Sequence, residues 1–346
     1  MASNATESRT LRFSGLFGAW GSATLGVQQA LALDGVKSEI LSPESAQHTM
    51  ATMDRLEAQL EQGQRIPKFD EAGMLLVDNY EADLSVNFTI MVDWAYNGLY
   101  HHASQPHRNL RALARVVQPQ YGGIAATEES GITSLEQVAK EQRGIRLYTI
   151  SKSKYQTRTM GLVLSRLLEE SGFTQADVER WGGQVFTAEN GMQAIRDRNL
   201  DLIALPAYSR YGMQWGVMWM EAQINLNLRF LPVAEHVLDT LESELHAPKG
   251  VMPAGLFKGV ARDIPTYVVA DHTVITHDQL SDEAAYAAVR AIDQHSECLA
   301  LQADTFAFHP REAWQRTALP LHPGAEAYYR EQGYLKGELD TPTART

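Results

Sequence analysis

The chain has one cysteine, Cys298, so it can form neither an intramolecular disulfide nor a cysteine-based zinc site. Positive charge is also scarce. Against 42 acidic residues stand 30 Lys and Arg, for a formal charge of −12 and a pI near 5.4. Nucleic acid and anionic membranes need a cationic field, so neither is expected as the main partner. A local basic pocket for an acidic ligand stays compatible with that balance. No apolar run is long enough to span a bilayer, and Met1 to Thr10 has no apolar core of a secretion signal. The expected location is therefore periplasmic if a signal was removed ahead of the chain, and cytoplasmic if Met1 is the native start. HExxH, GxSxG and P-loop patterns are absent, and Gly15, Gly18 and Gly21 do not match a dinucleotide fingerprint. No metal and no cofactor are expected.

What is present is a chain of 346 residues with 44 % apolar content, enough for two domains of ordinary size. Strand and helix signals alternate, which predicts an α/β fold. Leu11–Ser14 reads as a first strand, followed by a helix capped at Ser22 and running to about Leu33, with Gly35 as its stop. Met50–Gln62 reads as a polar helix, Met74–Asp78 as a short apolar run, Leu84–Phe88 as a strand and Val92–Tyr100 as a helix. Gly122–Ala126 and Ile145–Ile150 read as strands, with a capping-box helix opening at Ser134 between them. Met160, Val163, Leu164, Leu167 and Leu168 fall on one helix face, and Gly172 ends that helix. Farther on, Glu189–Arg198 reads as a helix, Leu200–Leu205 as a strand, Arg229–Pro232 as a short extended piece, Ile264–Ile275 as one long strand and Ser281–Ala300 as one helix. Cys298, inside that last helix, is expected to be a buried, inert thiol. His101, His102 and His107 are expected in a surface turn, although a histidine beside a cleft can also act as an acid or base.

Several blocks occur in an order that resembles the TAXI-type solute receptors of TRAP transporters. They are Phe13–Leu31, Asp83–Gly98 with its Ala95-Tyr96-Asn97-Gly98 run, Glu129–Ile132 followed by Ser134-Leu135, Gln193–Asp201, Met252–Gly255 with Pro265-Thr266, and the closing Leu319–Glu331, where His322-Pro323-Gly324 precedes paired tyrosines. The resemblance implies an α/β, two-lobed, periplasmic-binding-protein-like fold of type II with a ligand cleft between the lobes. It implies one discontinuous lobe of residues 1–118 plus 230–346 and a second of residues 119–229. It also implies a small organic anion as ligand and a TRAP membrane subunit as partner.

Within that frame the turn Ser151–Thr159 is the expected anion site, because it joins a strand end to a helix start and carries Lys152, Lys154, Tyr155 and Arg158. Lysine supplies point charge there, and arginine can grip a carboxylate through two hydrogen bonds. The family's turn is usually rich in Gly and Ser, so the basic version implies a different or more anionic ligand, or a different task. An opposite wall is expected from Trp20, Ser22, Asn87, Thr89 and Asp93. A third, aromatic wall is expected from Tyr208, Ser209, Arg210, Tyr211 and Trp215. Each of these residues alone also fits an ordinary cap, turn or packing role. Two functions fit the set. One is a solute-binding protein that captures a carboxylate, aromatic ones included. The alternative is a cytoplasmic lyase or decarboxylase on the same scaffold, with the basic turn holding the carboxylate and a histidine or Asp93 moving the proton.

Overall fold

A computed structural model describes residues 10–14, 19–41, 72–117, 120–150, 158–187, 189–207, 214–268, 271–302 and 308–337. Its strands in chain order are β1 (Leu11–Phe13), β2 (Ser38–Ile40), β3 (Ser85–Phe88), β4 (Leu110–Val117), β5 (Tyr121–Thr127), β6 (Arg146–Thr149), β7 (Gln184–Phe186), β8 (Leu202–Ala207), β9 (Leu228–Phe230), β10 (Lys249–Met252), β11 (Ile264–Tyr267) and β12 (Asp271–His277). The chain forms two α/β units, one of residues 1–118 with 271–346 and the other of residues 119–270. The sequence expectation put the second crossing after residue 229. The units divide after 270, because β9 pairs with β5 and Tyr121 bridges to Val268, which keeps the stretch through 268 with the second unit.

In the first unit, β12 is inserted between β3 and β4, antiparallel to both, and β1 and β2 form a parallel pair. Helices Ala19–Leu33, Asp282–Gln294 and Pro323–Glu331 contribute Val27, Leu31, Ala288, Ile292, Tyr328 and Tyr329 to a core shared with Val86, Ala114 and Val274. The closing motif starts the helix that carries the paired tyrosines. His322 is its N-cap and accepts from the Gly324 amide at 3.2 Å, while Pro323 fills the first turn, where a missing N–H costs nothing.

The second unit has a five-stranded sheet in the order β7-β6-β8-β5-β9, with β6 parallel to β7 and β8, and β5 antiparallel to β8 and β9. The helix Arg158–Glu170 buries Met160, Val163, Leu164, Leu167 and Leu168, the face its spacing predicts. Ser134 caps the helix Leu135–Glu141 by accepting from the Gln137 amide at 3.2 Å, and the Gln137 side chain reaches back to the Thr133 amide at 2.9 Å.

Five expectations change. The helix expected to open at a Ser22 cap begins at Ala19, which puts Ser22 inside it. Ile264–Ile275 is two strands, not one: β11 pairs with β10 in one unit and β12 pairs with β3 and β4 in the other. β-Branched content marks extended chain but carries no information about its partner. Ser281–Ala300 is two helices, Asp282–Gln294 and Glu297–Gln302, parted at His295 with φ −124°. The helix expected over Val92–Tyr100 is Thr89–Asn97, stopped by Gly98 in the left-handed region at φ 68°. The helix expected over Glu189–Arg198 is Gly191–Arg196. Met50–Gln62 lies outside the described residues.

Candidate functional site

β3 ends at Phe88 and the helix Thr89–Asn97 begins at the next residue, with no side chain capping its first turn. A strand that runs straight into a helix aims the first-turn amides past the strand end, where an anion is favoured. Register places Thr273 of β12 opposite Asn87 of β3 on one side and Arg115 of β4 on the other. Directly paired residues share a sheet face, so Asn87, Thr273 and Arg115 form one polar row across three strands. Asn87 and Thr273 are fully buried and Arg115 is 7 % exposed. The Thr89 and Thr273 hydroxyls lie 3.0 Å apart, and Thr273 Oγ1 donates to the Thr317 carbonyl at 3.2 Å, so Thr89 is the donor of the pair. Glu312 lies 3.8 Å from the Arg115 guanidinium and is itself largely exposed. The row thus gathers an amide, hydroxyls and a buried cation beside a helix start, in a chain of net negative charge.

Of the residues expected from sequence, Asn87 and Thr89 meet in this cluster. Asp93 lies one turn into the same helix and accepts from Asn97 Nδ2 at 2.8 Å, an i,i+4 bond along the helix surface. Trp20 and Ser22 belong to the helix Ala19–Leu33, and Arg158 opens the helix Arg158–Glu170, but their side chains lie outside the described residues, as does that of Trp215. Lys152, Lys154, Tyr155, Tyr208, Ser209, Arg210 and Tyr211 lie outside the described residues altogether. Sequence reading missed Arg115 and Thr273. Arg115 and Arg111 interrupt the apolar run of β4, and a cation within an otherwise apolar strand is the signal that could have found Arg115.

The histidines are not a surface turn. His102 and His107 are buried, at 3 % and 5 % exposure, and the His107 amide donates to the Ala95 carbonyl at 2.9 Å, which folds the segment back on the helix Thr89–Asn97. His107 Nδ1 sits 2.7 Å from Asp78 Oδ2 and its Nε2 3.2 Å from His102 Nδ1. His322 donates through Nε2 to the Leu280 carbonyl at 2.9 Å, and burial pushes its pKa down, which keeps Nδ1 an acceptor for the helix amide. His272, stacked on Phe88 with ring centroids 4.8 Å apart, is fully buried and pushed down to about 3 by desolvation. Asp83 is fully buried against Arg12. Burial opposes its charge, but His277 and the Arg12 amide and guanidinium outweigh it and hold the carboxyl well below the usual range. Cys298 is buried, and desolvation followed by the charge of Glu297 raises its thiol pKa, as an inert thiol requires. Among the described residues no group of three His, Cys, Asp or Glu could hold a metal ion, and no helix is long and apolar enough to cross a membrane.

A family model described as NMT1-like matches residues 72–333, well over half of the chain. The chain belongs to the NMT1-like family. It is also similar to several solved structures. A TctC solute binding protein from Polaromonas is 12 % identical over 95 % of this chain and 97 % of that one, with a TM-score of 0.45. A Xanthomonas citri protein bound to chloride ion is 14 % identical over 93 % and 99 %, with a TM-score of 0.44. A marine-metagenome TRAP solute binding protein specific for pyroglutamate is 11 % identical over 94 % and 92 %, with a TM-score of 0.40. The family match spans β3, β4 and β12, so the polar row lies within the matched region of this NMT1-like chain.

Proposed function

We propose that this NMT1-like protein is a periplasmic solute-binding protein of TAXI type that captures a small organic anion, a carboxylate foremost, and presents it to a TRAP membrane subunit. The observation that carries the reading is the Asn87–Thr273–Arg115 row beside the start of the helix Thr89–Asn97. A buried guanidinium is costly to desolvate and is kept where it has anionic company. An amide and hydroxyls beside it can orient a carboxylate, and the helix start adds a fixed positive end. The basic residues Lys152, Lys154 and Arg158 belong to the same proposal as a second source of charge.

A thermal-shift screen of carboxylates and sulfonates against sugars and organic cations tests it. At least one anion is expected to stabilise the protein, by about 2.7 kcal/mol at a hundredfold excess over Kd. Arg115→Met is expected to weaken that ligand at least tenfold by calorimetry, with Thr89→Val as the milder variant should Arg115→Met fold poorly. Hits confined to sugars or cations reject the anion reading.

A further inference from the structure

We propose that Glu312 is a tethered competitor for the ligand: its carboxylate stands beside Arg115 when no anion is bound, gives way when one arrives, and thereby lowers the affinity of the site. This role rests on the binding function proposed above and concerns one unit alone, since Arg115, Thr273 and Glu312 all belong to the first.

The tether is in the backbone. The segment that carries Glu312 is bonded to the polar row at two points. The Arg115 amide donates to the Ala313 carbonyl at 2.6 Å, and Thr273 Oγ1 donates to the Thr317 carbonyl at 3.2 Å. Within the segment, the Glu312 amide donates to the His309 carbonyl and the Gln315 amide to the Glu312 carbonyl, both at 2.9 Å, which fixes the turn around Glu312. Its carboxylate therefore hangs one residue away from a bond to the same residue it faces. A group held in this way acts at an effective concentration that a free solute must outcompete.

The contact itself is loose. Glu312 Oε2 lies 3.8 Å from Arg115 Nη2, beyond the range of about 2.7–2.9 Å in which a guanidinium and a carboxylate share a hydrogen bond. In the same unit Arg290 holds Asp34 at 2.7 and 3.0 Å through two nitrogens, so the chain makes close pairs where a pair is structural. The Glu312 side chain is 61 % exposed, so water solvates its charge as it swings away. Pairs with so exposed a member are weak, worth about 1.5- to 5-fold in an equilibrium constant. The Arg115 side chain is buried and gains no such solvation, so a charge must stay near it. A ligand carboxylate can come within bonding distance and present two oxygens to the guanidinium. Two carboxylates crowded on one buried cation repel each other, so ligand and Glu312 compete for it.

The experiment is calorimetry with butyrate, benzoate and ethanesulfonate on wild type, Glu312→Gln and Glu283→Gln. Glu312→Gln is expected to tighten every anion that wild type binds, about twofold to fivefold. Glu283→Gln removes the same charge from the first turn of the helix Asp282–Gln294 and is expected to leave affinity unchanged. Glu312→Ala, expected to act in the same direction, covers failure of Glu312→Gln to fold. Equal tightening in Glu312→Gln and Glu283→Gln overturns the proposal, because net charge and not the contact is then responsible. Unchanged or weaker binding in Glu312→Gln also overturns it, because Glu312 is then a supporting partner of Arg115. In both cases wild type still binds an anion and the anion reading stands. An anion bound by Glu312→Gln but not by wild type supports the competitor, and a panel that no variant binds overturns both readings.

Discussion

The two units bury polar groups of different kinds. In the first unit the buried polar set includes Asp78, Asp83, His102, His107, Arg115, His272, His277 and His322. In the second, among the described residues, it consists of Gln120, Thr127, Ser130, Thr149, Ser171 and Thr266, none of them ionisable. Charge in the second unit lies in exposed or half-buried pairs, such as Arg166 with Glu244 and Arg146 with Asp201. The contrast teaches where each unit's stability comes from. The first depends on charged partners that must stay paired and on His272 and His322, which burial holds neutral. The second depends on apolar packing and close backbone approach, and exposed pairs contribute little.

The largest test removes a buried charge from the first unit. Asp83→Ala leaves Arg12 and His277 without their carboxylate and is expected to cost about 3 kcal/mol in denaturant unfolding. Hydrogen exchange should show the loss in β1, β3 and β12 and spare β5 and β8. A loss spread equally over both sheets breaks the comparison.

Next is packing in the second unit. Gly191 lies against the Tyr148 ring, and a methyl there runs into it. Gly191→Ala should cost about 2 kcal/mol through overpacking, with no change in how stability varies with pH. A pH-dependent cost would show that the second unit also relies on a buried charge.

The pH dependence itself comes third. His272 holds a pKa of about 3 when folded, against about 6.5 when unfolded. Below the unfolded value the unfolded chain takes a proton that the folded one refuses, so stability falls as pH drops from about 6.5 towards 3, by at most about 1.4 kcal/mol per pH unit. Asp83, with its pKa depressed, adds its own loss only below about pH 4. His272→Phe should flatten the upper part of that slope in denaturant titrations at several pH values; an unchanged slope assigns it to other groups.

The smallest effect is a surface cap in the second unit. Thr174 caps the helix Gln175–Arg180 in a reciprocal box with Asp177, so Thr174→Ala should cost about 1 kcal/mol. A cost near that of Gly191→Ala would mean that local capping, not packing, dominates there.

Local signals made much of the fold legible in the sequence. The spacing from Met160 to Leu168 determined a helix and its buried face, because helical period and apolar side chains act within a few residues. Ser134 marked a helix start because its side chain serves an amide three residues on. Asn87 and Thr89 stood out as polar residues at a strand end. Other features were decided only by tertiary structure. No local pattern says that Ile264–Ile275 breaks between two units, because β11 pairs with β10 close by in sequence while β12 pairs with β3 and β4, more than 150 positions away. Nor does it say that Arg115, Thr273 and Asn87 line up, because register is a relation between strands and not a property of any one of them. The same reason hid the burial of His102 and His107. Their sequence is that of a polar turn, and only tertiary packing brings Asp78 within 2.7 Å of His107 and takes both rings out of water.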